Sequence, residues 1–258
     1  MSLSFAFLIA DHPTDDKKSP IHKLHVNQAN GLITAAQGLL LPEKRAISMC
    51  LAQLDSKKQE NGRYKFVLHA SDYATVFQLD LNTAYDQLRG VADHLMDRKS
   101  CIVTVKPDGK TIVEKLVWVS GAKYFSGEGK IEIGFSPEIT PYLTALGERK
   151  GYTGYKLKAT ARLQSMYSWR LFELLMQKKG SGLLRISIND FCRCLEVPQK
   201  CETDFGQLRR IIERAVQELK EKNNIPLEWI ATKRGGRKLT GLEFMFKKDP
   251  KVNECEPA

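Results

Sequence analysis

Gln207, Arg209, Arg210, Arg214 and Gln217 fall within eleven residues of one another, and their chemistry is recognition rather than bond breaking. A guanidinium can grip the two acceptors on the edge of guanine, and a carboxamide the donor and acceptor of adenine. Leu208, Ile211, Ile212, Ala215 and Leu219 lie among them at the spacing of a helix with one buried side. That burial leaves Gln207, Arg210, Arg214 and Gln217 on another face, with Arg209 on its flank. Further on, Lys233-Arg-Gly-Gly-Arg-Lys238 packs four cations into six residues around a turn. Lys233, Arg234, Arg237 and Lys238 suit phosphates, which carry affinity without sequence choice. The bland alternative for the helix is a solvated basic face with Glu213 and Glu218 as local partners. The neighbouring cationic turn favours nucleic acid, because both basic elements belong to one module.

Chemistry of other kinds finds little support. The histidines at 12, 22, 25, 69 and 94 make no His-x-His. Gly127-Glu-Gly-Lys130 lacks the first glycine of a phosphate loop and has Ile131 where a hydroxyl is required. It reads instead as a turn before a strand. No trio of carboxylates resembles a polymerase site. Cys192, Cys194 and Cys201 lack a fourth zinc ligand. The expectation is a non-enzyme with no cofactor and no metal.

Charge follows the same division. Residues 1–150 hold 19 basic against 17 acidic residues, whereas 151–248 hold 20 against 10. A polyanion partner for the second half is the direct reading of that asymmetry. The six cysteines show no regular disulfide spacing, and Leu3 to Ala10 is too short and lacks the basic start of a signal peptide. No run approaches the roughly 20 apolar residues of a membrane span. The expected setting is the cytoplasm, away from membranes.

The elements that must position the basic residues occur twice. Residues 64–68 alternate as a strand, Ser71-Asp72 signals the start of a short helix to Phe77, and a long helix runs over 82–97. Tyr85, Leu88, Ala92 and Leu95 mark its inner side. Its outer face carries Gln87 and Arg89 among Asp86, Asp93 and His94, so its grip on DNA is expected to be weaker. Strands at 101–105 and 111–119, joined by Pro107-Asp-Gly109, form the first candidate hairpin. In the second copy, 183–188 is a strand, Asn189-Asp190 caps a short helix, a long helix spans about 204–222, and 227–232 and 239–246 are strands. Further helices are expected at 27–38, from Pro42 onward, at 137–147 and at 156–179.

A strand, two helices and a β-hairpin make a winged helix. The fold class is therefore α+β, with two tandem winged-helix domains. The expected organisation is a flexible segment at 1–20, a first domain at 21–150, a second at 151–248 and a disordered tail at 249–258. Gly151-Tyr-Thr-Gly154 would be the junction. The first domain would hold dimer contacts and weaker DNA contacts, and the second most of the DNA contacts.

Several segments together resemble a known family over about 24–248. They include Val26-Asn-Gln-Ala-Asn-Gly-Leu-Ile33, Leu41-Pro-Glu-Lys-Arg45, Trp118-Val-Ser120, Tyr124-Phe-Ser-Gly-Glu-Gly-Lys-Ile131, Tyr152-Thr-Gly-Tyr155 and Ser165-Met-Tyr-Ser-Trp-Arg-Leu-Phe-Glu-Leu-Leu175. The second module adds Arg209-Arg210, Ala215-Val216 and Gly236-Arg-Lys238. The chain resembles the replication initiators of iteron plasmids, the RepB type of initiator Rep protein. Phe172, Cys201 and Lys222-Asn223 depart from the family pattern, and none lies on the proposed binding face. The resemblance implies binding of double-stranded origin repeats as a monomer and repression of its own gene as a homodimer. It also implies a host initiator, a replicative helicase and chaperones as partners. A stand-alone transcriptional repressor and a nuclease or polymerase with basic holding domains are the competing readings.

Overall fold

In the computed structural model, residues 25–54, 64–144, 146, 151–233 and 239–247 are described, with the side chains of 202 and 203 left aside. The first winged helix consists of β2 (Lys65–His69), α3 (Ala70–Phe77), α4 (Leu81–His94), β5 (Val119–Phe125) and β6 (Lys130–Phe135). The second consists of β8 (Leu183–Ser187), α6 (Ile188–Leu195), α7 (Lys200–Thr203), α8 (Phe205–Asn223), β9 (Leu227–Lys233) and β10 (Leu239–Phe246). Their sheets share one topology. The order is β2-β6-β5 in one and β8-β10-β9 in the other, all antiparallel. Both short helices start directly after a strand and end on a left-handed residue, Gln78 at φ 55° and Glu196 at φ 53°. Both long helices are capped by aspartate, Asp80 and Asp204. An Asx cap satisfies an amide that the first helical turn leaves bare.

That topology corrects the first wing. The hairpin β3 (Lys99–Val105) and β4 (Thr111–Val117) forms a separate two-stranded sheet. The wing is β5–β6, turning through Gly127 and Gly129, both at positive φ. A Cβ on Gly129 would overlap the Tyr85 ring on α4, so this turn demands glycine for space as well as for φ. Local pattern predicts strands, but which strands pair is a long-range matter. Two short-helix caps also differ. His69, without a side-chain cap, precedes α3, and Ser187 caps α6 by accepting the Asp190 amide.

Residues 27–38 hold a strand and one helical turn rather than a long helix: β1 (His25–Ala29) and α1 (Asn30–Ile33). Among the described residues of the expected helix at 137–147, Thr140–Tyr142 form a 3-10 turn and no α-helix is present. The expected helix at 156–179 is shorter, α5 (Met166–Gln177). Before it, β7 (Tyr152–Lys156) pairs antiparallel with β1 from Ala29↔Tyr152 to His25↔Lys156. Of the two glycines read as a junction, Gly154 thus lies in a strand and Gly151 immediately precedes it. At Gly154 a Cβ would meet the Asn27 carboxamide on the facing strand, so a larger residue there requires that side chain to move.

Two helices are buried on nearly all sides: α2 (Leu41–Gln53) and α5. The consecutive Glu43, Lys44 and Arg45 are all buried and, about 100° apart around α2, reach three different places. Glu43 accepts from Arg98 at 2.9 Å and from the Leu40 amide at 2.7 Å. Arg45 donates to the Leu163 carbonyl at 3.2 Å and lies over the Phe77 ring at 5.2 Å. Lys44 meets Glu173 of α5 at 2.7 Å and donates to Gln37 at the same distance. The other Glu173 oxygen accepts from Arg170 at 2.6 Å. Gln28 and Tyr155 complete the carboxylate's shell. Burial pushes the Lys44 ammonium down to about 8 against the pull of Glu173. Burial acts to raise the Glu173 carboxyl, but Lys44 and Arg170 together hold it below the usual range.

Candidate nucleic-acid interface

The apolar stripe of α8 lies where its spacing puts it. Leu208, Ile212, Ala215 and Leu219 are buried, with Val216 added, and Ile211 is half-buried. The opposite side therefore faces outward. Arg209, Arg210, Arg214 and Gln217 are exposed and Gln207 is half-exposed. Not all are equally free. Gln207 donates from its amide and its side chain to Asp204, at 3.2 and 2.9 Å. Those bonds hold the Asp204 carboxyl below its ordinary range and tie Gln207 to the cap. Arg209 is paired with Glu213 at 2.8 Å, one turn on, and Gln217 donates to Glu221 at 2.6 Å. Such exposed pairs are worth a few tenths of a kcal/mol and exchange readily for a ligand. Among the described residues, Arg210 and Arg214 form no close ion pair, although Arg210 lies near enough to Asp204 to favour its charged form.

Arg210 and Arg214 line a groove of about 440 Å³ with Gln207, Asp204, Lys200 and Pro198. Lys200 went unnoticed in the sequence because it lies on α7, an extra turn that the first module lacks. A Pro198 followed by polar residues reads as a plain loop, and no periodicity marks a four-residue helix. Of the cationic wing, Lys233 ends β9, exposed and opposite Leu239. Arg234, Arg237 and Lys238 lie outside the described residues.

The first module's face is different from the one its sequence suggested. Gln87 is turned inward, accepting from the Tyr73 hydroxyl at 2.9 Å and Arg45 at 3.4 Å. Its position follows from two buried polar groups that need an acceptor. Arg89 remains exposed. The correct wing adds cations that the sequence reading passed over. Lys65 and Lys123 flank Glu132 at 3.6 and 3.5 Å on the sheet surface, leaving one net positive charge there. No helix among the described residues is long and apolar enough to cross a membrane.

Comparison with known proteins matches this geometry across both modules. Residues 25–176 match the family model described as "Initiator Replication protein, WH1", and residues 187–246 that described as "Initiator Rep protein, WH2". The "PI protein" of Escherichia coli is 29% identical over 264 residues, covering 90% of this chain and 83% of that protein. A "Replication initiation protein" of Escherichia coli is 26% identical over 236 residues, covering 90% of this chain and 72% of its own length. The solved structure of Pi initiator protein in complex with iteron DNA superposes with a TM-score of 0.72 at 25% identity. It covers 89% of this chain and 99% of that one.

Proposed function

The chain belongs to the initiator replication protein family, with a WH1 and a WH2 domain, and on that premise we propose that it initiates DNA replication by binding repeated double-stranded sites. It does so as a binder rather than a catalyst, in the cytoplasm. The observation that carries this reading is the pair Arg210 and Arg214, exposed and outward on α8, in a tandem fold whose relative was solved on iteron DNA. The N-terminal half of α8 enters the major groove, where Arg210 and Arg214 read bases. Arg209, Gln207 and Gln217 exchange their local partners for DNA. Lys200 and Lys233, with Arg234, Arg237 and Lys238, meet phosphates. In the first module Arg89 and the β5–β6 cations supply weaker contacts, and Gln87 supports Arg45 and Tyr73 rather than touching DNA. The two domains divide at the turn around 178–182, between the two family matches.

The test is selection of duplexes from a random pool by the full chain, followed by hydroxyl-radical footprinting. The expected footprint is two protected tracts on one face of the duplex, about one helical turn, roughly 34–36 Å, apart. Repeats of the selected sequence beside the gene support the initiator reading. A single palindrome there supports a stand-alone repressor, and no selected sequence refutes both.

The wing contributes affinity without sequence choice. Replacing two of Lys233, Arg234, Arg237 and Lys238 with Gln is expected to lower the log–log salt slope of binding by about 2. An unchanged slope with unchanged affinity means that the wing points into solvent.

The dimer is proposed to form through the β3–β4 hairpin. Val105 is 68% and Val113 54% exposed on one face of the hairpin, Ile112 is exposed on the other, and β4 has no second partner strand among the described residues. An open apolar edge of this kind favours pairing with a second copy. Val105→Lys with Val113→Lys is expected to leave a monomer in sedimentation at concentrations where the parent chain dimerises. A dimer that persists in that variant places the contact elsewhere.

A further inference from the structure

Residues 33–38, between α1 and α2, are held from both sides. The second module reaches these residues through α6 and its cap, and Arg170 of α5, in the first domain, ties them to α6. Arg170 donates to the carbonyls of Ile33 and Ala35 at 2.6 and 2.7 Å, and also to Cys194 on α6 at 3.0 Å. Arg193 donates to the Thr34 carbonyl at 3.0 Å. Glu196 accepts the amides of Gln37 and Gly38, at 2.8 and 2.9 Å. On the first module's side, Ala36 pairs with Cys101 of β3, and the Trp118 indole donates to the Gln37 carbonyl at 2.7 Å. Gly38, at φ 64°, lies so close to the Lys99 carbonyl that a Cβ would overlap it.

A strap bonded along its length to two bodies leaves little freedom between them. Charge-assisted bonds to fixed backbone groups also define direction. Glu196 is the residue that leaves α6, and its left-handed conformation turns its carboxylate back onto the strap. That conformation is uncommon for glutamate. From α6 the chain passes directly to the turn and to α8.

We infer that Glu196, with Arg193 and Arg170, is a positioning residue that sets the angle between the two winged helices and so the spacing of DNA tracts that the protein accepts. This rests on the reading that both modules bind one duplex. None of the three residues needs to touch DNA for this. A rigid pair of modules matches only tracts at the right distance and rotation. One inserted base pair moves the second tract by about 3.4 Å and rotates it by roughly 35°. A rigid protein then loses the contacts of one module, whereas a hinged one follows the tract.

The experiment uses the full chain and the duplex it selects from a random pool. Spacer variants gain or lose one or two base pairs between the footprinted tracts. The parent chain is expected to lose at least about tenfold in affinity for one inserted base pair. Glu196→Asn suits the left-handed position and shortens the side chain, so α6 keeps its end. It is expected to bind the parent duplex within about threefold, and to lose less than about threefold on the inserted one. Arg193→Gln, which acts on a different strap contact, is expected to flatten the profile in the same direction. Spacing profiles that run parallel to the parent's in both variants, at whatever affinity, overturn the inference. So does a flat profile for the parent chain, which leaves DNA binding itself intact. Failure of the parent chain to select any duplex overturns the functional reading beneath it as well.

Discussion

Glu173→Gln is expected to destabilise the fold by about 3–5 kcal/mol, the cost of leaving buried charge uncompensated. The carboxylate is fully buried between Lys44 and Arg170, so its loss leaves two cations facing each other with no anion. For a chain of this size the midpoint of thermal unfolding should fall by about 6–20 °C. Lys44→Met is the informative contrast. It leaves the Arg170–Glu173 pair neutral, and burial already disfavours the Lys44 charge. Its main cost is the Gln37 oxygen left without a donor, about 1–3 kcal/mol. Urea midpoints for the two variants decide the matter. If Lys44→Met proves the more damaging, the cluster is not organised around the carboxylate.

Arg210→Ala and Arg214→Ala are each expected to weaken binding to the selected duplex by about 1–3 kcal/mol, or about 5- to 150-fold. Their motive is geometric. Both are exposed on the side of α8 away from its buried stripe, outside any close ion pair among the described residues, in the groove that Lys200 also lines. Arg209→Ala should cost less, because Arg209 must first leave Glu213. Anisotropy titrations on the selected duplex and on a scrambled one, at one salt concentration, separate the two modes of contact. A loss confined to the selected duplex is base reading. An equal loss on both assigns these arginines to phosphates.

Both predictions concern residues that the amino-acid sequence presents very differently. Arg210 and Arg214 were legible at once. The period of Leu208, Ile212, Ala215 and Leu219 is local, and burying it leaves one direction for the rest. The same holds for the Asp204 cap, for both long helices and for the repeated order of strand, helix, helix and hairpin. Lys44 and Glu173 gave no such sign. They are 129 positions apart, and Lys44 sits among charged neighbours while Glu173 sits in an apolar run, so neither points to the other. Nothing local distinguishes a lysine in solvent from one pointed at a buried carboxylate.

The sequence by itself therefore determined the two modules, the basic half and the outward face of α8, because each is written in periodicity, capping and charge. Tertiary structure alone decided which hairpin is the first wing, since both β3–β4 and β5–β6 have suitable strands and only pairing to β2 selects β5–β6. It alone turned Gln87 inward to meet Tyr73 and Arg45. It also drew β7 across to β1, so that Tyr152–Gly154 became sheet rather than junction. The physical reason is common to all three. Backbone amides and buried polar groups must find partners, and those partners lie tens to more than a hundred residues away, beyond the reach of any local pattern.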